Sequence, residues 1–243
     1  MSIWGTLVGG AAGLVLGGPL GALLGALGGY AAVKGGNGAD ESADGTRSIS
    51  FTIGVIALGA KMAKADGAVT IDEVTAFREV FHVPDEELRH VSRLFDRAKR
   101  EATGFEPYAQ QLARLFRDNR TVLEELLDAL FHIAKADNVI HPAEDDFLFQ
   151  VAQIFGFDRA EFDRIRAGHV GVGDADPYRV LGIARTAADD AVKARYRQLV
   201  REHHPDTLVA QGLPKEFVDL ANEKLAAIND AWDRVRKHRG LAP

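Results

Sequence analysis

The sequence predicts an all-α protein, and three observations carry that reading. Apolar residues recur three and four apart in run after run, as in Val74, Phe77, Val80 and Phe81, then in Leu123, Leu126, Leu127, Leu130 and Phe131. No stretch alternates convincingly with period two, the mark of a half-buried strand. Turn-forming breaks separate the runs at helix-length intervals: Asp66-Gly67, Val83-Pro84-Asp85, Thr103-Gly104, Asp118-Asn119, Asp137-Asn138 and Gly156.

The first element is apolar. From Ile3 to Val33 the only ionisable side chain is that of Tyr30. The run exceeds the roughly 20 helical residues that cross a bilayer core, so residues 1–34 are expected to form a transmembrane helix. Trp4 and Tyr30 stand near its ends, where amphipathic aromatics favour the interface, and Lys34 follows at once. A signal peptide needs a positive leading region and a shorter apolar core. Gly9, Gly13, Gly17, Gly21, Gly25 and Gly29 recur every fourth residue. On a helix they form one stripe without side chains, which lets two backbones approach in lipid, so a homodimer through this helix is expected. Pro19 removes one backbone hydrogen bond, a defect that membrane helices tolerate. With little polar mass before the run and the first side-chain charge after it, the start is expected outside and the rest in the cytosol.

Residues 35–48, GGNGADESADGTRS, are small and polar and read as a linker. Residues 49–168 are helical by pattern, with about seven helices expected. They contain a repeat. Lys64-Ala65-Asp66-Gly67-Ala68-Val69-Thr70 precedes Glu73, and Lys135-Ala136-Asp137-Asn138-Val139-Ile140-His141 precedes Glu144. The region is read as two related helical hairpins packed together. Asp66, Glu73, Asp137 and Glu144 admit two roles. One is hard-ion ligation, although two carboxylates per copy fall short of the roughly six to eight oxygens that calcium takes. The other is capping: Thr70 and Glu73 frame a capping box, and Pro142 suits a first helical position with Glu144 in the first turn. No metal site is predicted.

After a short linker at 169–175, residues 176–243 read as a closed helical hairpin. Asp176-Pro177-Tyr178-Arg179-Val180-Leu181-Gly182 gives a short helix ending at glycine. A second helix from about Ala188 to His203 places Val192, Tyr196, Leu199 and His203 on one face and Lys193, Arg197 and Arg201 on another. A third, from about Lys215 to His238, buries Phe217, Ala221, Leu225, Ile228, Trp232 and Val235. His204-Pro205-Asp206 lies between the last two.

Composition excludes several classes. A net charge of -6 argues against a wholly basic nucleic-acid-binding surface. With no cysteine there are no disulfides, zinc-binding thiolates or thiol nucleophile. No phosphate-binding glycine loop, nucleophile elbow or HExxH helix is present, so neither an enzyme nor a cofactor is expected.

Two resemblances follow. Residues 49–168 resemble the TerB fold of tellurite-resistance proteins, in which acidic residues at these turns have been linked to metal. The opening DPYRVLGI, the basic helix with YRQLVREH, the tripeptide and the close INDAWDRVR resemble a J-domain. The loop Thr207-Leu208-Val209-Ala210-Gln211-Gly212-Leu213-Pro214 and the order of the three parts are similar to membrane-anchored DnaJ-like co-chaperones of the DjlA type. Gln198 and Glu202 stand where J-domains often carry a basic residue, and His203 where they often carry an aromatic. The resemblance implies a bacterial inner-membrane protein, spanning once, whose cytosolic J-domain stimulates the ATPase of a DnaK-type chaperone. It implies that His204, Pro205, Asp206, Lys193, Tyr196, Arg197, Arg201 and Asn229 meet that partner. A second expectation is a metal- or envelope-stress-sensing TerB-like scaffold that recruits DnaK.

Overall fold

The computed structural model describes residues 17–25, 42–65, 78, 83–85, 88–100, 104–136, 139–169, 175–211 and 213–241. Among these the protein is all-helical. In chain order the helices are α1 (Gly18–Gly25), α2 (Ser42–Ala65), α3 (Leu88–Arg100), α4 (Glu106–Leu115), α5 (Arg120–Ala134), α6 (Pro142–Ile154), α7 (Arg159–Gly168), α8 (Pro177–Leu181), α9 (Asp189–Glu202), α10 (Pro205–Ala210) and α11 (Val218–Arg239). A 3₁₀ turn, Lys215–Phe217, leads into α11.

Helix α2 is the axis of the middle domain. Every residue from Ile49 to Ala63 is buried or glycine, and α3, α4, α5 and α6 pack around it. A helix apolar on all sides belongs in a core. Gly54 permits the tight α2–α4 crossing, because a Cβ there would lie 2.7 Å from the Leu112 methyls. The helix begins at Ser42, inside the segment expected to be linker. Within it Ser50 Oγ donates to the Thr46 carbonyl at 2.7 Å and Thr52 Oγ1 to that of Ser48 at 3.1 Å, which satisfies two buried side chains within the helix.

In the N-terminal segment the helix starts at Gly18 and does not run unbroken through the glycine stripe. Gly17 and Gly18 have φ of 51° and 60°, a left-handed conformation open to glycine, and Pro19 then occupies the first helical turn, where its missing N–H costs no bond. Leu20 and Leu23 are fully buried, and Gln111 of α4 holds both the Leu20 N–H and the Gly17 carbonyl at 3.0 Å. No helix among the described residues is long and apolar enough to cross a membrane. Gly9, Gly13 and Gly29 lie outside the described residues.

Of the four acidic turn residues, Asp66, Glu73 and Asp137 also lie outside the described residues, as does the run Val74, Phe77, Val80 and Phe81. Glu144 caps. It sits at the third position of α6 behind Pro142, is 1% exposed, and accepts the His141 N–H at 2.9 Å. Asp158 and Glu161 repeat the device at α7. Among the described residues no cluster of three or more histidines and carboxylates has the geometry to hold a metal ion.

The C-terminal hairpin closes as expected. Asp176 caps α8 by accepting the Tyr178 N–H at 3.0 Å, and Gly182 ends it at φ 66°. Tyr178, Leu181, Val192, Leu199, Ile228 and Val235 form its core. Tyr196 stacks on Trp232 at 4.7 Å between α9 and α11. A difference lies after the tripeptide, where part of the expected loop is the helix α10. Its residues do not stay within the hairpin. Leu208, Leu213, Phe217 and Leu220 belong to the apolar core of the middle domain, where Phe217 meets Phe51 edge-on at 4.7 Å.

Candidate functional site

Pro205 places the tripeptide at the first turn of α10. His204 is the N-cap, its Nδ1 accepting the Asp206 N–H at 3.3 Å. Both side chains remain available: that of His204 is 50% exposed and that of Asp206 is 95% exposed. Helix α9 ends at Glu202, with only His203 between it and the tripeptide, so its basic face leads directly to that turn. On that face Arg197 and Arg201 are exposed and Lys193 is half-buried. Tyr196 donates to Asn229 Oδ1 at 3.0 Å, so the expected contact residues on α9 and α11 are joined. The structure therefore gathers Lys193, Tyr196, Arg197, Arg201, His204, Pro205, Asp206 and Asn229 on the two long hairpin helices and the start of α10. Gln198 and Glu202 bond to each other at 2.8 Å.

Beneath this surface lies a cluster that sequence reasoning missed. Helix α5 of the middle domain carries three buried carboxylates, Glu124, Glu125 and Asp128, spaced so that all face the C-terminal hairpin. Lys224 of α11 reaches Glu124 at 2.6 Å, Glu125 at 3.3 Å and Asp128. Arg164 of α7 donates to Glu124 Oε1 at 2.9 Å. His203, only 1% exposed, meets Glu125 through Nδ1 at 2.7 Å and lies 3.5 Å from Glu124 through Nε2. His169 meets Asp128 at 2.6 Å and stacks on Phe131. The arginine stem reaches across the seam: a Cβ on Gly182 would lie 2.5 Å from Arg164 Cδ.

The electrostatics follow from this packing. Burial pushes the Glu124 carboxyl up, but Lys224, Arg164 and His203 outweigh it and hold it well below the usual carboxylate range. Burial likewise raises Asp128, and Lys224 and His169 overcome that and lower it. Burial pushes the Lys224 ammonium down, but Asp128, Glu124 and Glu125 outweigh it and raise its pKa. The sequence did carry a signal. Three carboxylates on a helix whose other positions are almost all apolar must find partners. Which partners those are depends on contacts about a hundred residues away in the chain.

The tripeptide, the basic helix before it and the helical hairpin that bears them define a J-domain, seated on a TerB-like bundle. Comparison with known proteins agrees: residues 52–167 match the family described as tellurite resistance protein TerB, 176–238 the DnaJ domain and 1–40 the co-chaperone DjlA transmembrane domain. Co-chaperone protein DjlA of Shewanella oneidensis is 30% identical over 74% of this chain and 74% of its own. Those of Photobacterium profundum and Coxiella burnetii are 29% and 27% identical, each over 98% of this chain and 100% and 98% of their own. The chain belongs to the DjlA family of co-chaperones. No solved structure matches.

Replacing Lys224 by Ala leaves the buried carboxylates without their main cation and should cost about 3–5 kcal/mol in urea unfolding. Glu124 and Asp128 have lowered values, so their share is present above their ordinary 4.5 and 3.8 and is lost as pH falls through the folded values. Lys224 has a raised value, so its share is present below its ordinary 10.5 and is lost as pH rises through the folded value. The gap between wild type and variant should therefore stay flat from about pH 5 to about pH 10 and narrow on both sides. A gap that changes steadily across neutral pH contradicts this assignment.

Proposed function

We propose that the chain is a membrane-anchored co-chaperone that stimulates the ATPase of a DnaK-type chaperone. The observation that carries the reading is the exposed His204-Pro205-Asp206 at the end of an open basic face. Long-range attraction between Lys193, Arg197 and Arg201 and an acidic chaperone surface raises the encounter rate. Asp206 offers a carboxylate for a charge-assisted bond to a partner arginine, and His204 offers a ring nitrogen. Pro205 keeps both in one register. Tyr196 and Asn229 complete the surface. The J-domain cleaves nothing itself. It acts by binding one conformation of its partner better than another, which is coupling between sites.

Anchoring rests on the apolar run of residues 1–34 and on the match of 1–40 to the co-chaperone DjlA transmembrane domain. The proposed topology is a single pass through a bacterial inner membrane, with the J-domain in the cytosol where the chaperone and ATP are. With the turn at Gly17 and Gly18 made helical in the bilayer, the stripe Gly9, Gly13, Gly17, Gly21, Gly25 and Gly29 would pair two copies there.

The purified full chain should stimulate ATP hydrolysis by its cognate chaperone, and His204→Gln should abolish stimulation at unchanged helix content. Equal stimulation by both sinks the reading. Exchanging Gly17 and Gly21 for Leu should remove most of the signal of a transmembrane-association reporter fused to residues 1–34. An undiminished signal means that the glycines do not pair helices. Protease added to right-side-out vesicles should spare the J-domain, and ready digestion there reverses the proposed topology.

A further inference from the structure

The tripeptide of this J-domain is held from both sides by the TerB-like domain. The residue before it, His203, is buried against a carboxylate of α5, with Nδ1 2.7 Å from Glu125 Oε1. The residues after it, Leu208, Leu213 and Phe217, are buried in the middle domain's apolar core, and Phe217 rests on Phe51. Between these anchors stand His204, Pro205 and Asp206, with the side chains of His204 and Asp206 facing solvent. The apolar anchors fix where α10 lies. The hydrogen bond between His203 and Glu125, the shortest contact of that imidazole with α5, fixes the end of α9 at the point where the chain turns into the tripeptide.

We propose that Glu125, a residue outside the J-domain, is a positioning residue for chaperone stimulation: through His203 it sets the place and orientation of the His204-Pro205-Asp206 turn. The inference rests on the reading above that this turn is what the chaperone contacts. Glu125 touches no partner. It acts through its reach, because the imidazole of His203 must sit where the carboxylate oxygen waits for it. Lys224, 3.3 Å from the same oxygen, holds that carboxylate from the other side. Encounter depends on the basic face of α9, which is separate from this contact. Displacing the turn should therefore lower the maximal effect on the partner while leaving half-saturation nearly unchanged.

Two conservative variants separate reach from charge. Glu125→Gln keeps the length and an acceptor oxygen for His203 but removes the charge. Glu125→Asp keeps the charge that answers Lys224 but withdraws the oxygen by one methylene. The assay uses the full chain in detergent with the cognate chaperone, titrated to saturation, beside urea melts of each variant. The expected result is that Glu125→Asp lowers maximal ATPase stimulation about tenfold or more, since a misplacement of about 1 Å can cost about a hundredfold where geometry is critical. Half-saturation should shift less than about twofold, and Glu125→Gln should stay near wild type. If Glu125→Asp stimulates like wild type, the proposal is overturned. If both variants lose stimulation in proportion to their loss of stability, Glu125 is merely structural and the proposal is again overturned. His204→Gln runs alongside as the control. Should it stimulate fully, the reading of the site has failed, and that failure is distinct from loss of the Glu125 effect.

Discussion

An ionised carboxylate taken out of water costs several kcal/mol unless charge and hydrogen bonds replace its hydration. Helix α5 buries three, Glu124, Glu125 and Asp128, within two turns of one another. The middle domain supplies Arg164 and the residue just after its last helix, His169, toward them, and the remaining partners, Lys224 and His203, come from the J-domain. Undocking the J-domain would return the carboxylates to water, so docking has to replace their hydration, and only a placement that brings Lys224 and His203 onto them does so. The position of the hairpin on the bundle is thus set by a charge requirement. Apolar contacts through Phe217, Leu208 and Leu213 add affinity to it.

This arrangement changes what the two domains are to each other. Two domains joined by a short segment ordinarily move independently unless their interface is large and apolar. Here the seam combines an apolar patch continuous with the TerB-like core and a buried ionic cluster that demands geometry as well as proximity. The face left outward holds Arg197, Arg201, His204, Asp206 and Asn229. Docking therefore leaves open the surface that the proposed partner would use.

Much of the architecture was legible because helices announce themselves locally. The hairpin helices α9 and α11 follow the spacing of Val192 and Leu199 and of Phe217, Ala221, Ile228 and Val235. The capping role of Glu144 was readable from Pro142 and the first-turn position. The start of α2 at Ser42 was not, because GGNGADESADGTRS is polar and small and reads as loop, while the Thr46 and Ser48 carbonyls accept from Ser50 and Thr52 in the buried turn that follows. Nor was the helix after the tripeptide, since its leucine is buried against another domain. His203 shows the limit most clearly. Its spacing after Val192, Tyr196 and Leu199 marked it for burial, yet nothing local to it names Glu125, which lies 78 residues earlier. Long-range ionic pairing leaves no period in a sequence.

The central claim is that the J-domain is fixed on the TerB-like domain. The chain has no cysteine, so two can be introduced cleanly for spin labels, at the exposed Asp118 before α5 and the exposed Lys237 near the end of α11. Pulsed electron-spin distance measurement on the full chain at neutral pH reads the separation between the two domains directly. The account predicts one narrow distance distribution that persists at physiological salt, because buried pairs are screened little. A broad distribution in the unaltered protein would show that the hairpin is free of the bundle and would contradict the account.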